Sequence, residues 1–225
     1  MIDYYTAKSL GGNTRKVSIM LAETGLEHVV YFVDLDKREQ HDAWYRALNA
    51  NGKIPAIVDH DVGGLQLAES GAILIYLAEK TGRFLPSSGS ARARVFEWLF
   101  WQASSLGPMA GQWNYFQRVA PERVPFAIAR YRDECARLLG VLNQQLGAHE
   151  YVAGDYSIAD MMIYSWALPV YRGLRQTAAP GADRALAELE RWLASMQDRP
   201  AVALAMSRYE GTAVRVGREV EAPLR

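Results

Sequence analysis

The stretch "KIPAIVDHDVGGLQLAESGAIL", residues 53–74, carries the pattern that decides the fold. Its two runs KIPAIVD and LQLAE are rich in apolar residues and predict two short strands. The intervening HDVGG contains Gly63 and Gly64, which favour a hairpin loop. A strongly apolar helix follows, and we predict Ser70 as its N-cap and Gly82 as its C-terminal stop. The segment therefore predicts an antiparallel hairpin that leads directly into a helix.

The residues before this segment predict an alternation of strands and helices. A short strand over residues 2–5 precedes a helix that begins at Thr14 and ends near Gly25. A strand over residues 28–35 and a helix over residues 41–49 complete the region. The resulting order is β-α-β-α-β-β-α. It predicts a parallel first pair of strands joined by a right-handed crossover, with the hairpin adding antiparallel strands.

The composition changes after "FLPSSGS", residues 84–90, where one proline, one glycine and three serines are typical of a linker. Strand patterns are absent from the sequence beyond it. We therefore predict an α/β domain over residues 1–84, a linker over 85–90 and an all-helical domain over 91–225. The predicted helices of that domain are one long helix over 95–116, kinked at Gly107–Pro108, and three more at about 123–147, 157–173 and 183–197.

Charge and cysteine content exclude several function classes. Lysine plus arginine and aspartate plus glutamate number 25 each, so no basic surplus favours a nucleic-acid partner. The single cysteine, Cys135, excludes an internal disulfide and a CxxC pair, and favours a reducing compartment. No apolar run approaches the length of a membrane span, and the four histidines are scattered. We expect a cytoplasmic protein with no membrane segment and no metal.

A proline stands at the entrance of the third predicted strand, in "NGKIPAIVD", residues 51–59. Proline cannot donate to a strand ladder, so a trans proline at the start of the strand is one interpretation. The other is a cis Ile54–Pro55 bond whose preceding N–H and carbonyl stay unpaired. An extended peptide substrate would then pair with this segment like an added strand. The motif alone leaves both interpretations open.

Glu69 and Ser70 lie where a predicted strand meets a helix. A helix N-terminus offers free N–H groups and the positive end of the helix dipole, which together attract anions. Ser70 and the helix amides would bind a carboxylate, and Glu69 would bind an ammonium group. The pair therefore matches the headgroup of an amino acid, although for an isolated Glu–Ser pair simple helix capping is the favoured interpretation.

Several motifs together resemble the glutathione transferase family. They are KIPAIVD, the helix start ESGAILIYLAE, residues 69–79, and GDYSIAD, residues 154–160. The segment VDLDKREQ, residues 33–40, and the helix EWLFWQASSLGPMAGQWNYF, residues 97–116, are similar to the bacterial nu class of that family. The resemblance covers about residues 1–205, and the long helix is its most specific part.

The resemblance implies a thioredoxin-like domain with a cis Pro55 and a glutathione site in it. The backbone of Ile54 would pair with the cysteinyl unit of glutathione, and Glu69 with Ser70 would bind the γ-glutamyl end. Two further residues, Gln40 and Lys53, match positions that approach the glycyl carboxylate. For Lys53 a solvated surface charge is the equal alternative.

The residue that activates the glutathione sulfur is expected in the loop "SLGGNT", residues 9–14. The nu-class pattern is T-P-N-G, with Thr and Asn near the sulfur, and the loop of this chain is about two residues longer. Asn13 then matches the family Asn, Ser9 is the nearest hydroxyl to its Thr, and Thr14 replaces its Gly. We predict Asn13 as the main donor, with Ser9 as the second candidate, and we assign Tyr5 to the core.

The family resemblance also implies a cleft for a second substrate and a homodimer. We expect Trp113 and Phe116 on one wall of the cleft and Arg130 and Tyr131 on the other. For Arg130 a surface salt bridge is the alternative. The Trp-rich long helix has more apolar surface than one partner helix would cover, which favours a dimer.

The nu-class resemblance implies a glutathione-dependent enzyme that reduces disulfides or peroxides and has modest conjugating activity. Glutathione is the cosubstrate, since the loop has no cysteine to act as a protein thiol. Two alternatives remain open. One is conventional conjugation of glutathione to an electrophile, and the other is a binding or regulatory protein on the same fold that catalyses nothing.

Overall fold

The structure is a computed structural model that describes residues 1–8, 11–177, 185–207 and 213–216. Residue contacts divide the chain into two compact units. Unit 1 consists of Met1–Arg83 with the described residues from Asp198 onward, and unit 2 is Phe84–Gln197. Our predicted helical domain extended to residue 225, whereas the contacts group the residues after Gln197 with unit 1. The predicted domain limits otherwise stay predictions.

The described residues form five strands and nine α-helices, besides short 3-10 and π-helical segments. The strands are β1 (Ile2–Thr6), β2 (His28–Phe32), β3 (Ala56–Asp59), β4 (Leu65–Ala68) and β5 (Ala213–Val216). The helices are α1 (Gly12–Thr24), α2 (Ala43–Leu48), α3 (Ser70–Thr81), α4 (Gly89–Trp101), α5 (Gly107–Arg118), α6 (Pro125–Leu146), α7 (Ile158–Arg175), α8 (Ala187–Gln197) and α9 (Pro200–Ser207). None of these helices is long and apolar enough to cross a membrane.

The sheet of unit 1 confirms the predicted thioredoxin-like topology. Its strand order is β4-β3-β1-β2-β5. Strand β1 is parallel to β2 and antiparallel to β3, and β3 is antiparallel to β4. All five residues of β1 are buried, as expected for the central strand of a sheet with covered faces. Strand β5 is parallel to β2 and lies within residues 91–225, where we predicted helices and no strand.

Helix α9 packs on α1 within unit 1, and two arginines join them. The Arg15 guanidinium donates to the carbonyl oxygen of Ala205 at 2.7 Å. Arg199, just before α9, donates to both carboxylate oxygens of Glu23, at 2.7 and 3.2 Å. A bidentate arginine–carboxylate pair has a defined geometry, so it fixes the register between the two segments.

The start of α3 differs from the prediction. We predicted Ser70 as the N-cap, whereas Glu69 occupies that position and Ser70 is the first residue of the helix. The Ser70 hydroxyl is instead 3.4 Å from the ammonium nitrogen of Lys16. Glu69 has a φ of 66°, in the left-handed region, so the chain turns sharply between β4 and α3. The Gly82 stop is confirmed, since Gly82 has a φ of 66° and its N–H donates to Ala78.

The long helix predicted over 95–116 is interrupted earlier than expected. Helix α4 is followed by a π-helical segment, Gln102–Leu106, and only then by α5. Pro108 lies in the first turn of α5, directly after the π segment, and it has no N–H to donate to the preceding helical turn. The change in helical register occurs at the π segment. The kink predicted at Gly107–Pro108 stays a prediction.

Asp160 organises the core of unit 2. Its Oδ1 accepts hydrogen bonds from the Val152 N–H at 3.0 Å and from the Trp192 indole N–H at 2.9 Å. Its Oδ2 accepts from the N–H of Ser157 at 3.0 Å, which completes the capping box of α7. Burial raises the pKa of this carboxyl to about 6, while the donated hydrogen bonds favour its charged form. One carboxylate thus links the start of α7 to α8.

We expect Asp160→Asn to lower the free energy of unfolding by about 3 kcal/mol, because an amide NH₂ would face donors that need an acceptor. Urea unfolding followed by circular dichroism measures this. The matched control is Asp133→Asn on α6, whose carboxylate is 62% exposed and pairs only with its neighbour Arg132. An equal effect of both substitutions would contradict the central role of Asp160.

Candidate active site

The peptide before Pro55 is the first component of the candidate site. The Ile54–Pro55 bond is cis. In the described part of the chain, no main-chain hydrogen bond involves the N–H or the carbonyl of Ile54. Pro55 is buried, while Ile54 is only half-buried. The N–H and the carbonyl of Ile54, which form an unpaired peptide edge, are therefore available to pair with the backbone of an extended ligand.

Two side chains hold the segment before Ile54 in place. The Tyr45 hydroxyl donates to the Lys53 carbonyl oxygen at 2.8 Å, and the Asn49 side-chain amide donates to the same oxygen at 2.6 Å. Tyr45 is fully buried, and burial raises the pKa of its hydroxyl well above the ordinary value, so it remains a donor. Neither residue was predicted from the sequence. They lie in and directly after a short helix, and no motif marks them as partners of Lys53.

Glu69 and Ser70 form the second component, at the N-terminus of α3. The Glu69 side chain is exposed and the Ser70 side chain is buried. The Ile73 N–H makes the first helical bond, to the Glu69 carbonyl. The amides before it in the first turn thus have no acceptor within the helix. An exposed carboxylate beside such amides matches a ligand that carries both an ammonium and a carboxylate group.

The start of α1 forms the third component. Asn13 is exposed in the first turn of α1. The neighbouring Thr14 is buried, and its hydroxyl donates to the Gly11 carbonyl at 2.9 Å. That hydrogen bond gives Thr14 a structural role in the turn, which favours Asn13 over Thr14 as a donor to a ligand. Ser9 lies outside the described residues.

Tyr5 belongs to the core, as predicted. Its ring stacks on Tyr31 with 4.9 Å between the ring centroids, and it is 3% exposed. Burial raises the pKa of its hydroxyl well above the ordinary value. A buried tyrosine of this kind does not reach the exposed start of α1.

Gln40 and Lys53 lie on segments that approach each other. The carbonyl oxygen of Gln40 would be 3.0 Å from a Cβ atom on Gly52, which has a φ of 62°. Only glycine allows both this approach and this backbone angle. The Gln40 side-chain oxygen is buried without a hydrogen-bond partner in the described part of the chain, and the Lys53 side chain is exposed. Both residues thus remain candidates for binding the carboxylate end of a ligand.

The residues predicted for the second substrate all lie in unit 2. Phe116 and Tyr131 stack with 5.7 Å between their centroids and an angle of 10° between their planes. Trp113 is buried, with its indole against Gly173. Arg130 is exposed and makes no ion pair with another described residue. The structure therefore brings Phe116 and Tyr131 together, while Trp113 packs in the core of the unit.

Comparison with known proteins decides the family. A family model for the glutathione S-transferase N-terminal domain matches residues 12–80. The disulfide-bond oxidoreductase YfcG of Escherichia coli K12 is 46% identical over 171 residues, which cover 74% of this chain and 79% of that protein. The chain belongs to the glutathione transferase family. The predicted resemblance is thereby confirmed.

Solved structures of the same family support the fold. A glutathione transferase from Pseudomonas putida, with one glutathione disulfide bound per subunit, is 37% identical and superimposes with a TM-score of 0.84, covering 92% of this chain and 90% of that one. A second, from Burkholderia graminis with two glutathione molecules per subunit, is 38% identical, with a TM-score of 0.83 and coverage of 91% and 87%. The glutathione transferase fold of this chain is thus established over nearly its whole length.

We expect Asn49→Ala to raise the Kd for glutathione about tenfold. The Lys53 carbonyl would lose one of its two hydrogen-bond donors, and the N–H and carbonyl of Ile54 would shift from the position that we propose for pairing with the ligand. Isothermal titration calorimetry measures the change. The matched control is Asn51→Ala, whose side chain is exposed. Unchanged affinity in Asn49→Ala would contradict the role that we assign to the Lys53 carbonyl.

Proposed function

We propose that this protein is a glutathione-dependent disulfide reductase in which bound glutathione supplies the reacting sulfur. The observation that supports the proposal most strongly is the burial of the single cysteine, which keeps its thiol neutral. Cys135 is fully buried on α6, and burial raises the pKa of its thiol to about 12. A neutral, buried thiol is not a nucleophile, so the sulfur has to come from a cosubstrate. The similarity to a disulfide-bond oxidoreductase supports disulfides as the substrate class.

In the proposed site, glutathione lies along unit 1. Its γ-glutamyl ammonium and carboxylate bind Glu69 and the start of α3, its cysteinyl backbone pairs with Ile54, and its glycyl carboxylate faces Gln40 and Lys53. The exposure of Glu69 and the unpaired edge of Ile54 support this orientation. The cysteinyl sulfur then faces the start of α1, near Asn13.

The proposed reaction has two exchange steps. The glutathione thiolate attacks one sulfur of the disulfide substrate, forms a mixed disulfide and displaces the other sulfur as a thiolate, which takes up a proton. A second glutathione thiolate then attacks the glutathione sulfur of the mixed disulfide. This step forms glutathione disulfide and releases the second substrate thiol. The neighbours with glutathione disulfide or two glutathione molecules bound support a site large enough for both.

The chain would contribute positioning and stabilisation of the thiolate. Each unit by which hydrogen bonds lower the glutathione thiol pKa corresponds to about 1.4 kcal/mol. Asn13 is the proposed donor, and Ser9 is the second candidate. As candidates for binding the second substrate we propose the stacked pair Phe116 and Tyr131 with Arg130, all in unit 2, whereas the burial of Trp113 favours a role in packing.

We also propose that the protein is a cytoplasmic homodimer. The single cysteine supports a reducing compartment. Phe100 on α4 is 60% exposed and Phe126 on α6 is 78% exposed, which supports an interface on the helices of unit 2. Sedimentation velocity that shows only a monomer would contradict the dimer.

We expect the protein to reduce hydroxyethyl disulfide with glutathione faster than it conjugates a chloronitrobenzene. Disulfide reduction needs only exchange at sulfur, whereas conjugation needs a site that stabilises attack on carbon. Measuring both rates on one preparation tests the proposal. Faster conjugation would favour a conventional transferase, and glutathione binding without turnover would favour a binding protein.

We expect Asn13→Ala to lower the rate of disulfide reduction about tenfold, which corresponds to the loss of about one unit of thiol pKa depression. Ser9→Ala is expected to have a smaller effect. At saturating glutathione, the pH dependence of kcat/KM for the disulfide reports the pKa of the bound thiol, and this pKa should move upward only in Asn13→Ala. Equal and small losses in both variants would contradict our alignment of the loop.

A further inference from the structure

Lys16 lies on α1, beneath the pair Glu69–Ser70. Its side chain is 2% exposed, and its ammonium nitrogen is 3.4 Å from the Ser70 hydroxyl oxygen. Lysine is almost never fully buried unless charged or polar groups surround it. The ammonium of Lys16 is buried next to the start of α3, where we propose that an amino-acid carboxylate binds. This position indicates that Lys16 has a role in binding that carboxylate.

The Lys16 ammonium lies in a buried environment that includes a charged group. Burial lowers the pKa of this ammonium to about 7, and the negative charge of Glu69 acts in the opposite direction. Two other charged pairs lie near α1, since Arg199 pairs with Glu23 and Asp3 of β1 pairs with His60. Glu69, which precedes α3, is thus a charged group that acts on Lys16 from another element.

We propose that Lys16 is a positioning residue for glutathione: its buried ammonium orients the Ser70 hydroxyl and provides the positive charge that balances the γ-glutamyl carboxylate. The inference rests on the proposed function, since it concerns the same site. The hydrogen bond from Lys16 leaves the Ser70 hydroxyl hydrogen directed away from the ammonium group, because the hydroxyl oxygen accepts that bond. That hydrogen is then available to the carboxylate.

A consequence of this arrangement is that glutathione binding is coupled to a proton. The ligand carboxylate adds a negative charge next to a buried amine, which favours the protonated form. Binding therefore raises the pKa of Lys16, and at a pH above its value in the free protein the complex takes up a proton. By linkage, affinity falls as the pH rises through that value.

The first test uses the unmodified protein and S-methylglutathione. The sulfur of this ligand carries no proton, so it cannot contribute to the number of protons exchanged on binding. Calorimetric titration at about pH 7.5 in phosphate and in Tris, which differ in ionisation enthalpy, gives the protons exchanged per site. We expect an uptake of between about 0.5 and 1 proton, and a loss of affinity of about five- to tenfold between about pH 6.5 and pH 8. No uptake would overturn the proposal.

Two variants assign the proton to Lys16. Lys16→Met should abolish both the uptake and the pH dependence and weaken binding about tenfold or more at about pH 6.5. Lys16→Arg keeps a charge at every pH, so it should restore affinity without the pH dependence. Uptake that persists in Lys16→Met would come from another group, such as His41 beside Gly52, and would contradict the proposal.

Lys80→Met is the matched control, because Lys80 is a lysine of the same unit that pairs with Asp59 at 2.6 Å and Asp61 at 2.8 Å. It should lower stability and leave the proton uptake unchanged, which separates loss of stability from loss of the Lys16 charge.

If S-methylglutathione does not bind the unmodified protein, the proposed function itself fails. If it binds without proton uptake, only the role of Lys16 fails. The measurement on the unmodified protein stays decisive even if a Lys16 variant does not fold.

Discussion

The carbonyl oxygen of Lys53 accepts hydrogen bonds from both Tyr45 and Asn49, and the geometry of the candidate site depends on this oxygen. The next peptide, that of Ile54, has no partner in the described part of the chain. An unpaired peptide edge binds a ligand well only if its position is already determined, since ordering it on binding would cost conformational entropy. The two donors to Lys53 satisfy this condition. They connect the stability of the segment before β3 to the binding role that we propose for it.

The second constraint is electrostatic and concerns the start of α3. An exposed Glu69, a buried Ser70 and a buried Lys16 lie within one turn of the chain and one neighbouring helix. Burying the ammonium of Lys16 costs solvation free energy, which its polar and charged neighbours offset in part. In the orientation that we propose, a zwitterionic headgroup would add an opposite charge next to Glu69 and next to Lys16. The charges at the start of α3 would then be complementary to the γ-glutamyl end of glutathione.

Much of the fold could be predicted because local chemistry decides it. Gly25 and Gly82 end their helices in the left-handed conformation that only glycine adopts without strain, and the order of strands and helices follows from their apolar patterns. The start of α3 and the interruption after α4 could not be predicted in this way. Ser70 is a good N-cap by composition, but a contact with Lys16, 54 positions away along the chain, gives its hydroxyl another partner.

The family, the thioredoxin-like order of elements and most of the candidate ligand set could be predicted from the amino-acid sequence, because each rests on residues that are close together along the chain. The side chains that support that ligand set became evident from the three-dimensional contacts. Tyr45 and Asn49 hold the Lys53 carbonyl, and Lys16 lies beneath Ser70. Those contacts depend on how α1, α2 and α3 pack around the sheet. The periodicity of a single helix carries no information about which distant hydroxyl or carbonyl its polar residues will reach.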